Sequence, residues 1–123
     1  MYNPFLNRGK HEKKQSPAYW RSKKQEKKTA KDMDAYRVSG SGSGRTKGDV
    51  RKMGVVRIEC KATSKLSFSV TRDMLDKIEM AALGSDEIPA ICIEFLNDKG
   101  KVEREVAVIP YQSLLDLVTR WRL

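Results

Sequence analysis

Apolar residues recur along the chain at two different spacings, and these spacings predict an alternation of helices and strands. Spacings of three and four residues predict amphipathic helices from Ser16-Pro17 to about Asp34, from a Ser69 or Thr71 cap to Gly84, and from Pro110 to Trp121. Alternating or continuous apolar residues predict strands over residues 36–38, 49–52, 55–62, 88–95 and 102–109. This order predicts an α/β fold in which a mixed β-sheet is flanked by helices.

The N-terminal part of the chain carries the weakest apolar pattern. Residues 1–15 lack apolar periodicity and predict a flexible basic arm. A single domain is expected over residues 16–123, which is long enough for a modest core. The first predicted helix has a thin apolar face, with Trp20, Ala30 and Met33 directed inward and lysines elsewhere.

Positive charge is concentrated in the first half of the chain. The formal net charge is +9; residues 1–54 hold 15 Lys and Arg against 5 Asp and Glu, whereas residues 55–123 hold 10 against 11. A one-sided basic excess favours a polyanionic partner, most often a nucleic acid. A charged tail that is merely solvated is the alternative.

The cysteines and the lack of sorting signals indicate the compartment. Cys60 and Cys92 fall in predicted core strands and are expected to be buried free thiols, as in a reducing cytoplasm. His11 is the single histidine, and no Cys/His cluster has zinc spacing. No apolar run approaches membrane-spanning length, and the N-terminus has no signal-peptide core. We therefore expect a soluble cytoplasmic protein of a bacterial or archaeal cell, encoded by the cell or by a phage, without a membrane partner.

A stretch of alternating Ser and Gly over residues 39–44 precedes Asp49 and is followed by Arg45 and Lys47. Glycine and serine can bring backbone N–H groups and hydroxyls close to phosphates. The stretch is no P-loop, because the Gly-Lys-Ser/Thr ending is missing. A mobile loop that contacts substrate is favoured over a passive linker.

The predicted hairpin over residues 49–62 brings two carboxylates and a lysine together. Side chains alternate faces along a strand, so Arg57, Glu59 and Lys61 share one face, opposite the apolar residues Val56, Ile58, Cys60 and Ala62. Asp49 lies at the start of the hairpin, across its turn from Glu59. Two carboxylates can hold a hard divalent cation, and a neighbouring lysine can position or deprotonate a water for attack on phosphorus. This pattern is typical of a metal-dependent nuclease, and ordinary charges on an exposed sheet face are the alternative.

Glu-x-Lys alone is a weak signal, because the chain contains it three times, at Glu12, Glu26 and Glu59. The first copy lies in the arm, and the second lies on a predicted helix, where residues two apart point in different directions. Only the third lies on a strand, with an acid ten residues earlier across a turn. The apolar opposite face, the adjacent Gly/Ser stretch and the upstream basic excess favour a functional role for this copy.

A helix carrying Glu26, then Asp49, then Glu59-Cys60-Lys61 ten residues later, resembles the PD-(D/E)XK nuclease superfamily with its restriction-endonuclease-like fold. Within it the chain is most similar to archaeal-type Holliday-junction resolvases and their phage-encoded relatives, from about Lys24 to Leu117. The similarity also covers the segments 25–26, 38–41, 47–50, 71–74, 88–91 and 95–97. Gly48 stands where the superfamily usually has a proline.

The resemblance implies a metal site and a catalytic set. Asp49 and Glu59 would ligate Mg²⁺ together with the backbone carbonyl of Cys60, and Mn²⁺ could substitute. Glu26 would bind the metal through a water molecule, and Lys61 would orient or activate the attacking water. The alternative for Glu26 is a surface helix residue paired with Lys23 or another lysine.

The resemblance also implies DNA contacts. A serine of the Gly/Ser loop, Ser39 or Ser41, would approach the scissile phosphate, and Ser41 is placed in the catalytic set. Further DNA contacts are expected from the same loop and from the start of the second helix, giving the set Ser39, Ser41, Ser43, Arg45, Lys47 and Arg72.

The implied function is a Mg²⁺-dependent endodeoxyribonuclease of recombination and repair, a Holliday-junction resolvase that makes paired symmetric nicks in four-way DNA junctions. A homodimer would match the symmetry of such a junction, and we expect the apolar face of the last helix to contribute to its interface (Leu114, Leu115, Val118 and Trp121). One alternative is a phage endonuclease of the same fold that cuts duplex, flap or mismatched DNA. The other is a basic nucleic-acid-binding protein without catalysis.

Overall fold

The described residues form three helices and five strands in the predicted order. The structure is a computed structural model and describes residues 17–38 and 48–121. The helices are α1 (Pro17–Asp32), α2 (Arg72–Ala82) and α3 (Tyr111–Trp121). The strands are β1 (Tyr36–Arg37), β2 (Val50–Lys52), β3 (Val56–Thr63), β4 (Ile88–Leu96) and β5 (Val102–Val108). The predicted basic arm and the Gly/Ser stretch lie outside the described residues.

The five strands form one mixed sheet in the order β1-β2-β3-β4-β5. Only β3 and β4 pair in parallel, and the other neighbours are antiparallel. A parallel pair needs a crossover connection, and α2 lies in the segment that links β3 to β4. The predicted α/β fold with a mixed sheet and flanking helices is therefore confirmed at this level.

The alternation predicted along β3 is confirmed by the two cores on opposite sides of the sheet. Ile58 and Cys60 are buried with Ala30 of α1. On the other side Ile91 is buried with Ile78 of α2. Because neighbouring strand residues face opposite ways, the odd-numbered residues of β3 lie on the α2 side.

Both cysteines are free thiols, as predicted. Cys60 is buried, whereas Cys92 is only half-buried. Burial raises the pKa of both thiols, so they are neutral at physiological pH and behave as small apolar residues.

The inward face of α1 is polar, which corrects one sequence prediction. Ala30 is buried as expected, but its buried neighbours are Gln25, Glu26 and Thr29. Met33 is 40% exposed, because α1 ends at Asp32 and Met33 lies in the turn that follows. The prediction for Trp20 concerns a side chain outside the described part.

The ends of α2 agree with the predicted signals. Of the two candidate caps, Thr71 is the one used: its hydroxyl accepts a hydrogen bond from the Met74 N–H at 3.2 Å. Ala82 is the last helical residue, and Gly84 follows with a positive φ of 76°.

The apolar face of α3 is largely open. Leu114, Leu115 and Val118 are 46%, 41% and 44% exposed, and the Trp121 side chain lies outside the described part. The proposed use of this face in a dimer stays a prediction. No helix in the described ranges is both long enough and apolar enough to cross a membrane.

Candidate active site

Asp49 lies directly before β2, where hydrogen bonds hold it beside β3. Its N–H donates to the carbonyl of Ile58 at 2.7 Å, and its carbonyl accepts from the Val38 N–H at 2.9 Å. Its carboxylate oxygen Oδ2 accepts from the Cys60 N–H at 2.8 Å. Because Val50 pairs with Ile58 in the antiparallel register, Asp49 comes opposite Glu59. The carboxylate is thus held against β3 by backbone hydrogen bonds.

Gly48 has a backbone conformation that excludes proline. Its φ is +76°, whereas proline fixes φ near −65°. A Cβ atom at this position would lie 3.2 Å from side-chain carbons of Arg57 and 3.2 Å from the Ile58 carbonyl oxygen. The close approach of the backbone to β3 at Gly48 places the next residue, Asp49, against the strand.

Gly48→Ala should therefore destabilise the protein and displace Asp49. Gly54→Ala is a matched control, because Gly54 has a φ of +75° but nothing within 4 Å of an added Cβ. Both variants carry the cost of positive φ, about 1 kcal/mol, and only Gly48→Ala adds the steric contact, for a total of about 2–3 kcal/mol. Denaturant titration measures the difference, and equal losses for the two variants would show that the close approach is unimportant.

Glu59 and Lys61 form an ion pair beside Asp49. The Nζ of Lys61 lies 3.5 Å from Oε1 of Glu59, and the side chains are 39% and 31% exposed, respectively. The pKa of Glu59 is raised, first by burial, then by the negative charge of Asp49, with a smaller contribution from a hydrogen bond between the two carboxyl groups. Lys61 offsets part of this rise. The two carboxyl groups are thus neighbours, and a cation between them would relieve their repulsion.

Glu26 approaches Asp49 from the α1 side of the sheet. Its side chain is buried, and Oε1 lies 3.5 Å from Nη2 of Arg37 on β1. Burial and then the charge of Asp49 raise the pKa of Glu26. The alternative interpretation as a surface residue is wrong, since Glu26 is only 7% exposed.

Glu26 and Glu59 are both neighbours of Asp49, but they approach it from opposite sides of the sheet. Glu26 belongs to the α1 side, and the alternation along β3 places Glu59 on the α2 side. In keeping with this, the described residues contain no group of three or more His, Cys, Asp or Glu side chains that could hold a metal ion. Water-mediated binding by Glu26 stays a prediction.

The donor set at Asp49 and Glu59 nevertheless fits a hard divalent cation. Such ions prefer carboxylate, carbonyl and water oxygens, and here two neighbouring carboxylates adjoin the backbone of Cys60. The Asp49 oxygen Oδ2 is fixed by the Cys60 N–H at 2.8 Å, which orients this carboxylate beside Glu59. The two carboxylates are therefore placed to share a cation.

Arg57 takes part in an ion-pair cluster around Glu87. It is buried, and its Nε lies 2.9 Å from Oε1 of Glu87. Arg51 binds the other oxygen of the same carboxylate at 2.8 Å, and the Gly54 N–H donates to it at 3.0 Å. Glu87 thus joins the β2–β3 turn to the start of β4. On the shared face of β3, Arg57 thus pairs with Glu87, whereas Lys61 pairs with Glu59.

Of the predicted DNA contacts, only Arg72 lies among the described residues. Arg72 is exposed at the first position of α2. The other predicted DNA contacts lie outside the described residues (Ser39, Ser41, Ser43, Arg45 and Lys47). Sequence reasoning missed Arg37 and Glu87, because both act through partners distant in sequence that no local spacing indicates.

No known protein family matches the chain. Comparison with curated proteins and with solved structures also finds no match. The functional argument therefore depends on the residues and their arrangement.

Proposed function

We propose that the protein is a Mg²⁺-dependent endodeoxyribonuclease with a restriction-endonuclease-like core, and that it acts as a Holliday-junction resolvase on four-way DNA junctions. The observation that supports this most is the position of Asp49, which hydrogen bonds to Ile58 and Cys60 hold beside Glu59 on β3. The carboxyl groups of Asp49 and Glu59 are close enough to raise the pKa of Glu59, and Lys61 lies 3.5 Å from Glu59. This is the Asp, Glu and Lys set that a metal-dependent nuclease uses.

Each side chain has a distinct part in the proposed reaction. Asp49 and Glu59 would hold Mg²⁺, which when bound supplies Lewis acidity and lowers the pKa of a water molecule. Lys61 would orient the attacking water by a hydrogen bond from its amine. The water oxygen would bond to phosphorus in line with the bond to the 3′-oxygen, which breaks. The water loses one proton and the departing 3′-oxygen gains one, so the products are a 5′-phosphate and a 3′-hydroxyl. Glu26 would assist through a water molecule.

The choice of DNA as substrate is supported by charge, and the choice of a junction by the resemblance. The basic excess of residues 1–54 favours a polyanion. Junction specificity would depend on DNA shape and backbone contacts instead of base reading. A homodimer would hold two sites related by a two-fold axis, which matches the symmetry of a junction, and the exposed apolar face of α3 is available for its interface.

The experiment that tests this function is incubation of labelled substrates with and without Mg²⁺. A synthetic four-way junction is compared with a linear duplex and a flap of the same sequence, and the products are mapped on a denaturing gel. We expect paired symmetric nicks near the branch only when Mg²⁺ or Mn²⁺ is present, and binding without cleavage in Ca²⁺. Equal cleavage of duplex or flap would favour the related endonuclease, and salt-sensitive binding without any cleavage would contradict the enzyme.

A further inference from the structure

The two flanks of α1 differ in how their positive charges are compensated. On the flank that faces β4 and β5, acids neutralise the basic residues. The Nε of Arg21 lies 2.7 Å from the buried Glu94 carboxylate, and Nζ of Lys28 lies 2.9 Å from both Asp32 and Glu105. This flank is an internal ion-pair network between helix and sheet.

The opposite flank carries lysines that form no ion pair among the described residues. Lys23, Lys27 and Lys31 are spaced four residues apart, so they follow one another along one side of the helix. All three are exposed, and within the described part none lies within ion-pairing distance of an acid. We call these three residues the α1 stripe.

The α1 stripe begins beside the candidate active site. Lys23 lies three residues before Glu26 on the same helix, so the two residues are neighbours on its surface. Glu26 in turn lies 3.5 Å from Arg37, and the next residue, Val38, donates its N–H to the Asp49 carbonyl at 2.9 Å. The stripe therefore leads away from the carboxylates along the helix axis.

We infer that the α1 stripe binds the sugar-phosphate backbone of the nucleic acid on one side of the cleavage site. This inference rests on the proposed function, because it takes the bound strand to be the one delivered to Asp49 and Glu59. Three lysines at this spacing span about 12 Å of helix axis, enough to reach about three phosphates of a strand that rises ~3.4 Å per nucleotide. Lysine binds phosphate as a point charge and reads no sequence.

A role in solubility alone does not explain this arrangement. Like charges four residues apart destabilise a helix, whereas alternating Glu and Lys would stabilise it and remain soluble. The same helix uses such a pair on its other flank, at Lys28 and Asp32. A polyanion removes the repulsion along the stripe, and neutralised phosphates release counterions, which drives binding.

The test is a triple variant, Lys23→Gln, Lys27→Gln and Lys31→Gln, which keeps helix propensity. Its control removes the same charge elsewhere through Lys77→Gln, Lys99→Gln and Lys101→Gln, at exposed lysines of α2 and of the β4–β5 turn. Binding of a four-way junction and of a linear duplex is measured against salt concentration in Ca²⁺. The stripe variant should reduce the slope of log affinity against log salt by about 2–3, with affinity at 0.1 M salt about 10- to 100-fold lower for both DNAs. The control should change either quantity by less than one third of these amounts.

Three results are distinguishable once circular dichroism shows that both variants are folded. Wild-type affinity and slope in the stripe variant, or equal losses in the control, would overturn the inference, while Mg²⁺-dependent cleavage by the wild type would leave the proposed function standing. Loss of binding in the stripe variant alone, together with a wild type that never cleaves, would support the stripe and overturn the nuclease. A wild type that binds no DNA would overturn both.

Discussion

Glu59→Gln and Lys61→Ala should each reduce Mg²⁺-dependent junction cleavage by about 10³-fold or more. Glu59→Gln removes one of the two carboxylates that would share the cation. Lys61→Ala removes the amine that lies 3.5 Å from the Glu59 carboxylate. Junction binding should stay within about threefold of wild type, because neither side chain belongs to the basic surfaces that supply non-specific affinity. Single-turnover cleavage and a binding assay in Ca²⁺ measure the two effects separately.

Glu59→Gln should also make the protein more stable at neutral pH. A carboxyl group whose pKa is raised in the folded state destabilises the fold once it is ionised. This cost is absent below the ordinary Glu pKa of about 4.3 and becomes complete as pH rises through the folded-state pKa. The gain of Glu59→Gln should therefore disappear in acid. Glu103→Gln, at an exposed position of β5, is the control and should change neither cleavage nor stability.

Cleavage that survives in both Glu59→Gln and Lys61→Ala would show that the proposed active site is wrong.

Glu87→Ala should cause the largest loss of stability, about 3 kcal/mol or more. The side chain of Glu87 is fully buried, and its two oxygens bind Arg51 and Arg57 at 2.8 and 2.9 Å. The substitution removes the counter-charge from two guanidinium groups and an acceptor from the Gly54 N–H. For a chain of this size the melting temperature should fall by about 10 °C or more. Glu79→Gln, exposed on α2, should leave it unchanged.

The Glu87 carboxylate should also make the free energy of unfolding sensitive to acid. Burial alone would raise the pKa of Glu87, but the Gly54 N–H and then Arg57 and Arg51 lower it to about 2. Since the folded-state pKa is depressed, the stabilisation is complete above the ordinary Glu pKa of about 4.3 and is lost as pH falls toward 2. Unfolding free energies measured from pH 7 to 2 should therefore converge for wild type and Glu87→Ala at the acid end. A constant difference over this range would contradict the assignment.

Local patterns were sufficient to predict most of the fold. The helix and strand order follows from apolar spacing, and Thr71 and Gly84 mark the ends of α2 because caps are encoded within a few residues. The pairing of Asp49 with Glu59 was accessible too, since a short turn fixes the register of the hairpin.

Long-range partners could not be predicted in the same way. The polar inward face of α1 at Gln25, Glu26 and Thr29 contradicts an apolar-face rule, because these residues meet the sheet through hydrogen bonds and charge. Arg57 was grouped with Glu59 by strand alternation alone. Its ion pair with Glu87, thirty residues later in the chain, could not be predicted from that alternation. Such contacts depend on tertiary packing, which one sequence does not specify locally.

Mn²⁺ titration followed by electron paramagnetic resonance tests most directly whether Asp49 and Glu59 share a cation. In the absence of DNA, the wild type should bind Mn²⁺ and release it when Mg²⁺ is added in excess. Asp49→Asn should bind Mn²⁺ at least about tenfold more weakly, and so should Glu59→Gln. Mn²⁺ affinities equal to wild type in both variants would contradict the shared site, and with it the proposed chemistry.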